Sequence, residues 1–505
     1  ANRSYDSRVD LFNISEGPDP ISGLLEKKYS ISRNRENARS YNNSLNLNYE
    51  LKTDTLGSKL NLNAAYLNYR RFQITDNRTI FSNVFGNDLG LSKQTIQDLP
   101  QYINNFSGMV DYIKKFKNDF TVSVGGNYNK TKTDNDTKND TYFVDPSRPT
   151  KNEPNHFIYD ENIYGAYLTL EKKLSEKFSG KVGARYEITN SLGTSDNSQN
   201  PAYAKIERNF NNFLPYLSLN YAINDKNNIS YAFSSRMRRP SFWEVNPVRN
   251  ILTDDNYTQN DPFVKASSVY NQEMTYMFKN SYFLVVNHSF VKDQITQVPL
   301  QGIVQYANGQ MGTKNELRYI RTNFGDRHEL SAMLGLQKSF FKQYWSTNFN
   351  IGIQYNKNKG SLSMDPTTGD IFPTYTNDIS STSLLIQMNN NITLDKKKTW
   401  FLGVNGFYMD KQQIELGLLK DLMSLDLNLK KIWNNWTFAV DVRDVLRTNV
   451  VEIEDYQANG NYNYIKNDQY RRGVMVSLTY NFGNNKVKKV RDIESASDAI
   501  KNRTR

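Results

Sequence analysis

The sequence predicts an all-β protein in which one large antiparallel sheet forms a transmembrane β-barrel. Apolar and polar residues alternate along many segments, as in 45–49 and 349–355, and such alternation is typical of a strand with one apolar face. Tight turn sequences then alternate with long polar stretches, which is the connection pattern of barrels with short periplasmic turns and long extracellular loops. We therefore expect a bacterial outer-membrane location.

The composition agrees with a membrane protein of low average hydropathy. Hydrophobic residues make up only 38% of the 505 residues, yet 33 Tyr and 27 Phe are present. Aromatic side chains are costly to leave unburied, so the chain is not disordered. No apolar run approaches the roughly 20 residues of a transmembrane helix. A barrel strand turns only one face to lipid and can stay half polar.

Residue counts and the first residues exclude several classes of site. The absence of cysteine excludes disulfides, thiolate metal sites and cysteine nucleophiles. The net charge of +11 comes from Lys and Arg scattered along the chain rather than from a compact basic motif, so we expect no nucleic-acid partner. Residues 1–13 lack the basic and apolar regions of a secretory signal, which leaves a mature chain or, as we favour, a fragment of a longer one.

The elements follow in chain order. Alternating segments occur at 45–49, 60–64, 120–124, 349–355 and 474–482. Tight links are expected at 53–57, 116–119, 175–177, 224–227, 279–281, 341–343, 395–398 and 433–435. Long polar stretches lie at 130–156, 190–205, 236–265, 356–377 and 447–469. With lone strands near 8–14 and 472–482, the links give about eighteen strands, too wide a barrel for its own wall residues to fill. A soluble propeller or array of adhesin domains would need a repeat of fixed length, and none is found.

Four stretches are more specific than the alternation. They are 161–167 with 183–187; 213–217 through 225–228 to 238–247; 260–265; and 479–484, and the second stretch, which ends in RRPSFWEVNP at 238–247, is the most specific. In order and spacing they resemble the outer-membrane β-barrel family of Bacteroidetes, which is related to the TonB-dependent receptors. The sequence departs from that family at Ala266 and Ser267, where the family usually has Pro-Glu, and this affects only the shape of one loop.

The resemblance covers the chain from about residue 41 onward and sets the expected domains. Full-length relatives carry a carboxypeptidase-regulatory-like domain and a plug before a barrel of about twenty-two strands, and neither preceding domain is recognisable here. We expect an irregular start with the first strand and loop at 1–40, the barrel at 41–483, and a basic periplasmic tail at 484–505. That tail is either solvated or a contact for a periplasmic partner.

The segment 236–247 is the candidate site. Alternation turns Ile229 toward lipid and Arg236 toward the lumen, just before the chain reaches the outer rim. The candidate ligand- or partner-binding residues are Arg236, Arg238, Arg239, Trp243 and Glu244. The alternative is structural: the arginines pair with loop or plug carboxylates, while Pro240 and Trp243 shape the loop.

Other patterns predict no chemistry. His156, His288 and His328 are far apart in sequence and lack a second ligand at metal spacing, so isolated histidines are expected. Residues 134–140 have an acidic pattern, but Lys138 occupies a position where a calcium loop has a ligand, and a Gly and a closing Glu are missing. No nucleophile elbow, Walker loop or dinucleotide fingerprint occurs. We expect no enzyme activity, cofactor or metal.

The leading functional hypothesis is a TonB-dependent-receptor-like barrel that binds a ligand and passes it across the outer membrane. Energy coupling through a plug and the TonB system is implied only by the resemblance. The competing hypothesis is a non-transporting structural barrel in an outer-membrane secretion, assembly or surface-lipoprotein complex. Expected partners are outer-membrane lipid and lipopolysaccharide, with the TonB system or complex subunits according to the hypothesis.

Overall fold

Long antiparallel strands form the wall of a β-barrel in the computed structural model of the chain, which describes residues 2–18, 25–196, 204–251, 256–414, 416–456, 462–468, 472–482 and 496–504. Each wall strand pairs with the next along the wall in antiparallel register. The wall strands are β1 (Asn2–Pro18), β2 (Leu25–Lys52), β3 (Lys59–Ser82), β5 (Gln101–Lys115), β6 (Phe120–Phe143), β8 (Asn155–Lys173), β9 (Phe178–Ser195), β10 (Lys205–Asn224), β11 (Asn227–Arg238), β14 (Ser267–Phe278), β15 (Tyr282–Lys292), β18 (Asp326–Phe340), β19 (Trp345–Met364), β20 (Ile371–Thr393), β21 (Trp400–Met409), β24 (Leu422–Trp433), β25 (Trp436–Arg443) and β28 (Gly473–Tyr480). Within the described residues the wall therefore has eighteen strands, which confirms the expected fold class.

Shorter strands extend the sheet at the end where the long loops lie. They are β4 (Asp88–Asp98), β7 (Lys151–Asn152), β12 (Arg249–Ile251), β13 (Asn256–Asn260), β16 (Ile295–Gln305) and β17 (Met311–Asn323). A separate four-stranded sheet at the same end contains β22 (Gln412–Ile414), β23 (Gly417–Leu419), β26 (Val451–Tyr456) and β27 (Tyr462–Asn467). A single α-helical turn, α1 (Asp498–Lys501), and a 3-10 turn at Phe341–Gln343 are the helical elements of the described chain.

The tight links lie where the sequence predicts them, at one end of the wall. The link between β14 and β15 is typical: Lys279 and Asn280 both have φ of 51°, which suits the two-residue turns that match the twist of paired strands. In the β2–β3 link, Asp54 accepts hydrogen bonds from the backbone N–H groups of Leu56 and Ser58 at 3.0 and 2.9 Å. Turn chemistry of this kind is local, so the sequence reveals it.

The strands reach further into the predicted loops than the alternation indicates. Strand β6 continues to Phe143 and β8 begins at Asn155, inside the polar stretch expected at 130–156. Similarly, β2 begins at Leu25, so the sheet includes much of the segment 1–40 that the expected boundary at 41 leaves outside the barrel. In these extensions the backbone pairing continues, while both faces are polar and lack the apolar signal of a membrane-crossing strand.

The two faces of the wall differ as the alternation requires. Outward-facing apolar side chains are exposed, with 61% of Leu45 and 51% of Phe106 accessible. Inward-facing positions on neighbouring strands carry polar side chains such as Asn63, Ser107 and Thr131, which are buried. An apolar outer surface with a polar interior is the arrangement of a membrane barrel. Within the described residues, no helix has both the length and the apolar character needed to cross a membrane.

A hydrophobic core nevertheless lies inside the barrel. It joins wall residues such as Leu67, Ile103 and Phe157 to Phe242 and Ile500, which are not part of the wall. A barrel of this width cannot be filled by its own wall side chains. The lumen is therefore partly filled by chain segments from outside the wall, and these segments shape the candidate site.

Candidate functional site in the barrel lumen

The first lumen segment is the described part of the connection between β11 and β14, residues 239–251 and 256–266, termed here the mouth loop. Its strand β13 pairs in parallel with β17, from Asn256 opposite Leu317 onward. Arg208, on the inner face of β10, donates to the carbonyl oxygens of Pro262 and Val264. Satisfied backbone groups and paired strands give the loop a defined position in the lumen. The stretch predicted as an outer-rim loop is thus folded inward.

Two predicted site residues anchor this loop. The guanidinium of Arg239 forms an ion pair with the buried Glu187 on β9. The carboxylate of Glu244 pairs with Arg321 at 3.0 Å and accepts a hydrogen bond from the backbone N–H of Ser241 at 2.7 Å. These contacts agree with the structural alternative, in which the candidate residues form ion pairs that hold the loop. A role of Arg239 and Glu244 in binding stays a prediction.

The other predicted site residues are more accessible. Arg236 and Arg238 lie on the inward face of β11 with exposed side chains, and no hydrogen bond or ion pair joins either guanidinium to another described residue. Trp243 is 42% exposed, and the guanidinium of Arg321 lies 5.7 Å from its ring centroid. These three side chains are available to a ligand in a way that Arg239 and Glu244 are not.

Arg236 and Arg239 line a cavity of about 370 Å³ below the mouth loop, together with Arg185 and Tyr216. Arg185 donates to Glu187 and to the side-chain oxygen of Asn127, each at 2.6 Å. Because Arg239 uses the same carboxylate, three guanidiniums face one carboxylate in the cavity wall. The wall therefore carries an excess of positive charge. Arg185 and Glu187 lie in the stretch 183–187 that carries part of the family resemblance, but the sequence did not single them out as site residues, because the pairing of Glu187 with Arg239 depends on contacts between distant parts of the chain.

A second cavity, of about 600 Å³, lies above the mouth loop among the long loops. The guanidinium of Arg249 lies 4.2 Å from the ring centroid of Tyr257, and the backbone carbonyl of Arg249 accepts a hydrogen bond from Gln97 at 2.8 Å. The lining also includes Lys138 and Tyr306. Its residues come from separate loops and strand extensions, which is why no local sequence pattern indicates it.

Arg318 in the same cavity wall is neutralised by its neighbours. It forms ion pairs with Asp370 at 2.6 Å, with Asp365 at 2.9 Å and with Glu316 at 2.9 Å. Burial acts to raise the pKa of Asp370, but hydrogen bonds from Arg318 and Thr368 outweigh it and lower that pKa below its ordinary value. Arg318 is thus fully paired, and its three carboxylate partners leave an excess of negative charge in this cavity wall.

The second lumen segment, residues 496–504, is termed here the C-terminal segment. Ile500 is 2% exposed and packs in the lumen core. Arg503 forms a two-point ion pair with Glu161 on β8 and donates to the carbonyl of Pro240 at 3.0 Å. The backbone N–H of Ala496 donates to Asn63 on β3 at 3.2 Å. The segment thus bridges two wall strands and the mouth loop.

This packing differs from the solvated alternative for residues 496–504, which lie in the lumen, and a contact of the tail with a periplasmic partner stays a prediction. Of the expected tail 484–505, residues 484–495 and 505 lie outside the described residues. The sequence did not indicate this packing because the segment has a single large apolar residue, Ile500, among polar and basic residues. Its partners Glu161 and Asn63 are hundreds of positions away in the chain. The side of the membrane on which the remaining tail lies stays a prediction.

The histidines are less isolated than the sequence indicates. His288 on β15 and His328 on β18 are stacked, with ring nitrogens 3.4 Å apart, because these two strands are neighbours. His156, at the loop end of β8, contacts Asp134 at 2.9 Å, and this hydrogen bond is the main cause that raises its pKa. Across the described part of the chain, no group of three or more His, Asp or Glu side chains could hold a metal ion.

Two solved structures with a similar fold are an uptake receptor and an import receptor. The ferric yersiniabactin uptake receptor FyuA from Yersinia pestis is 12% identical, with a TM-score of 0.50 over 95% of this chain and 76% of that one. The ferric-catecholate import receptor Fiu from E. coli K12 is 8% identical, with a TM-score of 0.52 over 95% of this chain and 81% of that one. At such identities the likeness establishes the fold alone. A comparison with curated protein sequences gives no match for this chain.

The sequence itself matches a family model. The model described as the outer membrane protein beta-barrel family matches residues 51–480, which include most of the wall strands and the mouth loop. This agrees with the apolar outer face, the polar interior and the separation of tight turns from long loops. The chain therefore belongs to the outer membrane protein beta-barrel family and is located in the bacterial outer membrane.

Proposed function

We propose that this receptor-like barrel binds an anionic ligand in its lumen and passes it across the outer membrane. The observation that carries the proposal is the cavity below the mouth loop, whose lining contains Arg185, Arg236 and Arg239 but only one carboxylate, that of Glu187, which pairs with Arg185 and Arg239. The names of the two similar structures, which describe uptake of ferric yersiniabactin and import of ferric catecholates, agree with such a ligand.

The electrostatics favour an anion over a neutral solute. Guanidinium groups form paired, charge-assisted hydrogen bonds with oxyanions, and such bonds contribute more in a lumen with restricted water than at an open surface. Arg185 and Arg239 are partly compensated by Glu187, whereas Arg236 is exposed and has no described counter-ion. A ligand oxyanion would thus bind the exposed guanidinium of Arg236, with that of Arg238 on the same strand face and closer to the outer rim.

Passage requires the mouth loop to move, because this loop separates the two cavities. Arg239 and Pro247–Arg249 belong to the same loop but line the lower and the upper cavity respectively. The ion pairs Arg239–Glu187 and Glu244–Arg321 hold it in place. A ligand anion near Arg239 would compete with Glu187 for the guanidinium and so weaken one of these anchors. Coupling of that movement to a plug and TonB stays an implication of the resemblance.

The test uses iron(III) tris-catecholate as an anionic probe and maltose as a neutral one, titrated calorimetrically into the purified detergent-solubilised chain. Charged hydrogen bonds contribute about 1.5–3 kcal/mol each, so replacing Arg236 and Arg238 by Gln should weaken probe binding at least about tenfold. Lys396→Gln, in an exposed tight turn, is the matched control and should bind like the wild type. Equal binding by the double variant, or equal binding of maltose, would refute the proposal.

A non-transporting scaffold is the second candidate function, and one observation favours it. The C-terminal segment occupies the lumen through Ile500 and Arg503, which suits a barrel that is not meant to conduct. Liposome swelling in maltose distinguishes the two functions. If the barrel transports, liposomes that contain the wild type should swell slowly, and liposomes that contain the Arg503→Glu variant should swell faster. The substitution places a second carboxylate opposite Glu161 and so should release the C-terminal segment. A scaffold should stay closed in both forms and be purified with fixed partner subunits.

A further inference from the structure

Four cationic side chains form a row on the outer surface of the wall. They are Arg39 on β2, Arg70 on β3, and Lys130 and Lys132 on β6, and all four are exposed. The pairing register places them on one face. Arg70 lies opposite both Tyr41 and Tyr102, Lys130 lies opposite Phe106, and Lys132 lies opposite Asn104.

That face is the lipid-facing one. Residues of the same parity on these strands are exposed apolar side chains, with 61% of Leu45, 47% of Tyr66 and 51% of Phe106 accessible. Positions of the opposite parity, such as Leu67 and Asn105, are completely buried on the inner side. A strand alternates faces at every residue, so Arg39, Arg70, Lys130 and Lys132 must point away from the lumen.

The row lies at the outer edge of the apolar band. From Lys52 at the tight-turn end to Tyr41, strand β2 rises about 28 Å at about 3.3 Å per residue and a tilt of about 40°. Barrels have an apolar band about 25 Å tall that is bordered by aromatic rings. Tyr41, Phe72 and Tyr102 provide such a border, with edge contacts of 6.3 and 5.7 Å between ring centroids. The cations therefore lie at the headgroup level of the outer leaflet.

These cations are not neutralised by the protein. Within the described residues no carboxylate oxygen lies within ion-pair distance of any of the four. Asp160 is opposite Lys132 in the register without forming an ion pair, and Asp134, two residues along, contacts His156 at 2.9 Å.

Cations farther from the tight turns on the same wall are paired instead: Arg33 pairs with Asp88 at 3.1 Å and Arg78 with Asp76 at 3.0 Å.

From this placement we propose that Arg39, Arg70, Lys130 and Lys132, the outer-leaflet row, bind the phosphorylated headgroup of a membrane lipid. Guanidinium and ammonium groups are the usual partners of phosphate oxygens. Acyl chains of the same lipid would lie along Leu45 and Tyr66, on the tight-turn side of Arg39 and Arg70, and along Phe106 beside Lys130. A lipid is favoured over soluble phosphate because the row is continuous with this apolar surface. The inference does not depend on the proposed transport function.

The test measures lipid retained by the full chain in detergent, by native mass spectrometry after delipidation and addition of phosphatidic acid. Each basic residue near an anionic lipid surface contributes about 1 kcal/mol. The triple variant Arg39→Gln, Arg70→Gln, Lys130→Gln should therefore bind about a hundredfold more weakly. Arg70→Gln alone should bind about fivefold more weakly, which keeps the test valid if the triple variant folds poorly. The control is Lys226→Gln with Lys397→Gln, at exposed tight turns.

Each outcome decides the question. Selective loss in the row variants, with the control unchanged, supports a headgroup site. Equal retention in the wild type and row variants, or an equal loss in the control, overturns it. Inorganic phosphate is the second arm: if it displaces phosphatidic acid at comparable concentration, the row binds free phosphate and the lipid assignment is wrong.

Discussion

At the scale of single residues, inward-facing arginines organise the interior through ion pairs with carboxylates. Arg185 and Arg239 share Glu187, while Arg318 takes three acidic partners. Pairing with a carboxylate was one interpretation of Arg239 from the sequence. The partner itself could not be predicted, because Glu187 lies 52 positions away on another strand. Pairing of this kind depends on strand register, which a single sequence does not encode locally.

The Arg318 network supports a prediction about stability. Replacing Arg318 by Ala leaves Asp365 and Asp370 buried without their counter-ion, and breaking a buried pair in this way costs about 3–5 kcal/mol. We expect the extracellular loops around residues 360–370 to become sensitive to protease at a lower temperature than in the wild type. The exposed Arg148, which stacks on Phe143 at 3.6 Å, is the control for Arg→Ala substitution and should have little effect.

The same network predicts a response to acid. The pKa of Asp370 is lowered from its ordinary value of 3.8. A carboxyl group with a lowered folded-state pKa stabilises the fold above its unfolded-state pKa, and this contribution is lost as pH falls through the folded-state value. Protease sensitivity of the loops around residues 360–370 should therefore rise only below about pH 4. A rise that begins near neutral pH would show that another group is responsible.

At the scale of strands and turns, the sequence predicts positions better than lengths. Turn residues act locally, so the tight links at both Lys279–Asn280 and Asp54 were predictable. Strand ends were not, because β6 continues as a ladder with polar faces as far as Phe143. The amphipathic signal is present only where one face meets lipid. Where the strand leaves the membrane, pairing persists without that signal.

Strand β19 gives a direct test of the face assignment. Ile351 is 36% exposed on the outer face, while the side-chain oxygen of its neighbour Asn350 is buried on the inner face. Arg at Ile351 should impair membrane insertion or stability by about 2–4 kcal/mol, because a charge near the midplane of the lipid face is not solvated. The Asn350→Arg variant should fold with nearly wild-type yield. Heat-modifiable migration of the protein in outer-membrane fractions measures the yield of folded barrel for both variants. Equal yields of the Ile351→Arg and Asn350→Arg variants would contradict the register.

At the scale of the whole molecule, the wall was predictable and the filling of the lumen was not. The alternation, the turn spacing and the family motifs are all features of the wall strands and their turns, and each predicts the same barrel. The inward fold of the mouth loop depends on Arg208 and on parallel pairing of β13 with β17, and the C-terminal segment depends on Glu161. Such contacts join distant parts of the chain without a periodic pattern. Arg236 was among the predicted candidates, but the cavity that it lines with Arg185 and Tyr216 could not be predicted, and a binding role of Arg236, Arg238 and Trp243 stays a prediction.

Sidedness gives the last prediction, for trypsin added to intact cells and analysed by mass spectrometry. The tight turns are placed in the periplasm, so the exposed Arg148 in the loop between β6 and β7 should face outside and be cut. The mouth loop, although long, should resist because its backbone is paired and anchored in the lumen. Lys486, Lys488 and Lys489 should be cut only after the outer membrane is opened. Arg503 should resist even then, since Glu161 holds it in the lumen. Cleavage at residues 486–489 in intact cells would invert the assigned topology, whereas early cleavage at Arg503 would show that the C-terminal segment does not stay in the lumen.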